Sequence, residues 1–142
     1  MNVSAKSEYG LRSLVYLAQH AQEGLTPARE IAKACGVPIK YLEQILGVLR
    51  DGRVVEAQVG SAGGYRLARP ARFISAGEAI RLLDERLGLG EAPPALGRRG
   101  DDPIRRLWER IEAAVVAVVD DVSIEDLARA TGSGPARERT AG

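Results

Sequence analysis

The 142-residue chain contains one cysteine and one histidine. A lone Cys35 cannot close an internal disulfide, and two such donors are too few for a zinc site. No apolar run reaches the length needed to span a bilayer. Residues Met1 to Lys6 lack the apolar core of a signal peptide, so a cytoplasmic location is expected. No nucleophile–base pairing, metal-ligand cluster or cofactor fingerprint is present, so neither an enzyme nor a cofactor is expected. Internal repeats are also absent.

What the chain does have is an ordinary globular composition, 45% hydrophobic and 27% charged. That suits one compact domain with room for an appended element. The formal net charge of +1 hides an uneven distribution. Residues 1–73 carry ten Lys/Arg against six Asp/Glu, net +4, and residues 74–142 carry ten against thirteen, net −3. A basic first half suits a polyanion, whose neutralised phosphates release counterions. The alternative is chance plus an acidic helical surface.

Apolar positions at Leu11, Leu14, Val15 and Ala18 predict a helix from about Ser7 to His20, broken by Gly24. Thr26-Pro27 reads as a threonine cap with proline at the first position of a second helix, whose apolar face is Ile31, Ala32 and Cys35. Gly36 is a natural stop. Pro38 opens a third helix with Leu42, Ile45, Leu46 and Leu49 turned inward. Two helices joined by a short glycine-containing turn form a helix-turn-helix pattern. Asp51-Gly52 ends the third helix. Val54 to Val59 is β-prone, with Val55, Ala57 and Val59 on one face. Gly60 to Gly64 makes an apex, Tyr65 to Ala68 returns, and Pro70 ends the hairpin.

Ser75 caps a fourth helix with Ile80, Leu83 and Leu87 as its stripe. A Gly/Pro-rich loop runs from Gly88 to Gly100. Asp102-Pro103 then opens a long helix striped by Ile104, Leu107, Trp108, Ile111, Val115, Val118 and Val122. Ser123 to Asp126 resembles a capping box that starts a short last helix. The fold class expected is mainly α with a small β-hairpin wing: residues 1–73 a winged helix-turn-helix, 74–130 a linker helix, loop and dimerisation helices, and 131–142 a disordered tail.

Lys6, Tyr9 and Leu11, Tyr41-Leu42-Glu43-Gln44, Leu49-Arg50, Gly60, Gly63-Gly64-Tyr65 and Leu67 together resemble the Rrf-two family of bacterial transcription regulators. The resemblance continues through Leu107-Trp108-Glu109 to Ser123 to Leu127 and covers roughly residues 1–130. It implies a homodimer of winged helix-turn-helix subunits, joined by their long C-terminal helices, that binds double-stranded DNA at a palindromic operator. Positions 39–44 would approach bases in the major groove, and the hairpin tip would reach the neighbouring minor groove. Members that hold an iron–sulphur cluster usually carry three cysteines in the loop before the long helix. Here that loop has none, and Glu8, at a position some members use as a further ligand, has no thiolates to complete. The resemblance therefore implies a cluster-free member. Cluster-type members often carry Arg just before the apex glycine, where this chain has Val59.

The candidate DNA contacts are Lys6, Lys40, Tyr41, Glu43, Gln44, Ser61 and Arg66. Gln pairs with adenine, Glu accepts from cytosine, and Lys donates to guanine or phosphate. The alternative for the helix residues is a solvated polar face. Arg66, Arg69 and Arg72 either meet phosphate or are plain surface charge. The glycine-rich apex lacks the Lys-Ser/Thr and the following helix of a nucleotide loop. Ile104, Leu107, Trp108, Ile111, Val115 and Val118 are the candidate dimer seam, or they pack on helices one and four. Cys35 is expected to be buried packing, with a redox-sensing thiol as its alternative, and His20 to lie on the surface. The function expected is a homodimeric repressor, with an unidentified effector or partner protein. A winged-helix module that binds a protein instead of DNA is the rival.

Overall fold

Ser4 starts the first helix, α1 (Ala5–Gln19), by accepting a hydrogen bond from the Ser7 backbone N–H at 3.1 Å. Helix α2 (Ala28–Cys35) and helix α3 (Ile39–Asp51) follow, joined by a turn in which Gly36 takes the left-handed conformation (φ 66°, ψ 35°). Strands β1 (Val55–Gln58) and β2 (Gly64–Leu67) pair antiparallel, with Val55 opposite Leu67 and Glu56 opposite Arg66. Helix α4 (Ala76–Leu83) is capped by the Ser75 side chain, and the long α5 (Pro103–Asp121) by Asp102. A last helix, α6, covers residues 124–131. The computed structural model describes residues 4–84 and 102–131. Leu87, the loop from Gly88 to Gly100 and the tail beyond Thr131 lie outside the described residues.

The core forms where the amphipathic faces meet. Leu14 and Leu17 of α1, Ile31 of α2, and Leu42, Ile45, Leu46 and Leu49 of α3 are buried together with Val54, Val55, Ile74, Leu83 and Ile124. Each such side chain contributes roughly 1.5–3 kcal/mol through burial. The core is continuous across position 73, since α4 and Ile124 join it. Close approach of α1 and α4 needs Gly10, where a Cβ would collide with Leu83. Asp84 ties the same junction by accepting from the hydroxyls of Ser4 (2.5 Å) and Ser7.

Helix α5 is tied to α4 at its C-terminal end. The Ala76 N–H donates to the Val122 carbonyl and the Ile124 N–H to the Ile74 carbonyl, both at 2.8 Å. Arg81 donates to both carboxylate oxygens of Asp120 at 2.7 and 2.9 Å, which holds that carboxyl below the usual range. No residue of α5 is buried. Ser123 and Asp126 complete a reciprocal capping box for α6, each bond 3.0 Å.

Three sequence expectations need correction. Thr26 does not cap α2; the N-cap is Pro27. Thr26 instead exchanges two 2.8 Å backbone hydrogen bonds with Tyr65 and adds a third strand position beside β2. Val55, Ala57 and Val59 do not share a covered face: Val55 is buried, but Ala57 is exposed and Val59 is 98% exposed, because the hairpin projects beyond the core. His20 is half-buried rather than on the surface, with its ring stacked on Tyr16 at 4.0 Å. Trp108, expected in the core or in a dimer seam, is 45% exposed and so stands outside the core of the single chain.

Candidate nucleic-acid interface

Burying Leu42, Ile45, Leu46 and Leu49 decides what α3 offers to solvent. At 100° per residue, these four point one way and Lys40, Glu43, Gln44 and Gly47 point the other. Lys40, Glu43 and Gln44 are exposed. Two apolar residues at the edges of that face, Ile39 and Val48, are each 39% exposed. The sequence reading passed over both, although their helical angle puts them at the border of the core stripe. Tyr41 is half-buried and meets Tyr9 edge-to-face, with centroids 6.0 Å apart. That contact fixes the start of α3 against α1.

A cavity of about 810 Å³ opens between the start of α1, the middle of α3 and the end of α4. Lys6, Tyr41, Gln44, Val48 and Asp84 line it, so three of the expected contact residues come together there. Ser61 stands apart at the exposed hairpin tip. Gly60 reaches φ 118° at that tip, and Gly64 has no room for a Cβ against the Thr26 backbone.

The hairpin's cations are less available than the sequence implies. Arg66 donates to its cross-strand neighbour Glu56 at 2.9 Å. The exposed pair is worth at most about 1 kcal/mol, so a phosphate could displace the carboxylate. Arg69 is committed to the fold through Glu78 and the Phe73 carbonyl, the latter at 2.9 Å. Arg72 lies 4.6 Å over the exposed ring of Phe73.

The sequence pattern of one family, Rrf2, described as an iron-dependent transcriptional regulator, matches residues 3–130. The chain belongs to the Rrf2 family. It is similar to the HTH-type transcriptional regulator CymR of Bacillus subtilis, 36% identical over 132 residues, which is 92% of each chain. The solved structure of CymR, titled the global cysteine regulator of B. subtilis, superposes with a TM-score of 0.79 at 35% identity, covering 91% of this chain and 97% of that one. T. potens IscR superposes at 0.76 and 32% identity, covering 92% and 88%. This Rrf2 protein is a winged helix-turn-helix, DNA-binding transcription regulator and not an enzyme. Among the described residues no helix is long and apolar enough to cross a membrane.

The family's iron raises the question of donors. With one cysteine and one histidine in the whole sequence, the thiolate set of an iron–sulphur cluster cannot be assembled. Glu8 is engaged with Arg12 at 2.7 Å. Cys35 is half-buried at the end of α2, and burial pushes its thiol pKa up, against a smaller opposing hydrogen bond from Ser13. A raised pKa disfavours the reactive thiolate. These residues do not fit a cluster.

Proposed function

We propose that this Rrf2 protein is a homodimeric repressor that reads a palindromic duplex operator without a cluster. Gln44, Glu43 and Lys40 read base edges in the major groove, with Tyr41 holding the helix in place. Lys6, Ser61 and Arg66 hold the phosphate backbone and set the register. The observation that carries this reading is the open face of α3, where all three polar base-reading side chains are exposed opposite a fully buried apolar face. Two copies pair through Ile104, Leu107, Trp108, Ile111, Val115 and Val118 of α5, and their half-sites lie about 34–36 Å apart. The exposure of Ile104 (57%) and Val118 (63%) supports a seam that needs a second chain to cover it. Repression then requires only that the bound dimer occupy a promoter, and a chromosomal operator places the protein in the cytoplasm. Its signal is an effector or partner of unassigned chemistry.

The test is Gln44→Ala in a gel-shift competition between an operator selected from random duplexes and unrelated DNA. Loss of one bidentate base contact should cost about 1–3 kcal/mol of discrimination and leave non-specific binding in place. Undiminished discrimination would remove Gln44 from the reading set.

A further inference from the structure

Three glycines sit inside helices among the described residues: Gly10 in α1, Gly77 in α4 and Gly47 in α3. The first two are explained within the molecule. A Cβ at Gly10 would strike Leu83, and one at Gly77 would strike the Asp120 carboxylate. Gly47 has no such neighbour. A Cβ there would meet only the flexible end of Arg50, 4.0 Å away, and no positive φ marks the position. Glycine in a helix interior is nonetheless destabilising relative to alanine. At this position the fold carries that cost with nothing among the described residues to require it.

The position of Gly47 supplies the reason. It lies three residues after Gln44, four after Glu43 and seven after Lys40, on the centre line of the open face of α3. At 1.5 Å per residue it is about 10 Å along the axis from Lys40. We propose that Gly47 is a clearance site, where bound duplex DNA approaches the α3 backbone too closely for any side chain. The inference rests on the DNA-reading role of α3 given above and adds a depth to it. Gln44 and Glu43 can reach base edges only if the helix sits low in the groove, and a smooth centre line permits that. Specificity at this site then comes partly from a missing atom.

The experiment compares Gly47→Ala and Gly47→Leu in the full-length protein at one protein concentration. Both residues are strong helix formers but differ in bulk. Both variants should melt about 2–5 °C higher than the parent. Operator affinity should nevertheless fall, by about fivefold for alanine and more than about fiftyfold for leucine, as overpacking at a close contact demands. The probe is the duplex that the parent protein selects from a random pool. If the parent selects none, the DNA-reading role of α3 is wrong and the clearance role falls with it. If the parent binds and both variants bind equally well, the clearance idea is wrong. It is equally wrong if alanine lowers the melting temperature, or if alanine and leucine weaken binding alike, since affinity would then track helix stiffness rather than size.

Discussion

Helix α3 turns Leu42, Ile45, Leu46 and Leu49 into the core and leaves Lys40, Glu43 and Gln44 in water, whereas α5 leaves Ile104, Leu107, Trp108 and Val118 exposed, half-covers Ile111 and Val115, and fully buries no residue. Both helices are amphipathic and of ordinary composition. Within one chain, α3 is complete and α5 is not. A helix whose apolar face is already covered is free to devote its other face to a polar ligand. One whose apolar face is bare gains most by finding another apolar face. The same pattern of spacing therefore serves recognition in one place and assembly in the other, according to which face the rest of the chain covers.

The largest effect should come from spoiling the bare face. Trp108→Asp introduces a charge where α5 would meet its partner, at a residue that is 45% exposed in the single chain. Light scattering should show a folded monomer in place of a dimer. Operator affinity should drop by about 10²–10⁴-fold, since the second half-site no longer binds at high effective concentration. An unchanged mass and affinity would mean that α5 does not pair.

Breaking the covered face should act differently. Leu46→Ala opens a cavity at a fully buried position and should cost about 2–5 kcal/mol of folding free energy, measured by urea unfolding. Within the folded fraction, operator discrimination should persist, because Leu46 is fully buried and is not itself one of the reading side chains. For Trp108→Asp the order is reversed: assembly is lost while the isolated fold survives. Together the two variants separate an internal face from an external one. If both lost folding and binding in equal measure, the contrast between the helices would not hold.

Much of this was legible in the sequence, and the exceptions follow a physical pattern. The buried face of α3, the Gly36 turn, the Asp102-Pro103 start of α5 and the Ser123–Asp126 box are all encoded within a few residues, and local spacing finds them. Thr26 misled because Thr-Pro is a good helix opening in isolation. Its backbone is claimed by Tyr65, 39 positions away, and no local rule registers that pairing. The hairpin misled for a related reason: alternation identifies two faces of a strand, but coverage depends on what lies behind it, and among the described residues β1 is buried at Val55 alone. At the recognition face, the polar residues were visible as types. Gly47 was not, because its meaning depends on the empty space around it.

The smallest expected effect concerns how α6 is joined to the anchored end of α5, and it can be read by pH. The Ser123 backbone N–H donates to Asp126, and this bond, ahead of the Ser123 side chain and the nearby Arg129 charge, lowers the Asp126 pKa below its ordinary 3.8. A carboxylate whose folded pKa is depressed adds stability that is fully present above the unfolded value. That stability is lost as pH falls through the folded one. Asp126→Asn keeps an acceptor but removes the charge. Its urea midpoint should lie slightly below the parent's at neutral pH, and the two should converge as the pH drops below 3.8. A difference that stayed constant in acid would assign the stabilisation to the hydrogen bonds alone. Operator binding by the variant should match the parent at neutral pH, because α6 is docked through Ile124 and Leu127 to the core and carries no residue of the reading face. Weakened binding would instead tie the anchored end of α5 to the placement of α3, and the two helices could no longer be treated as independent.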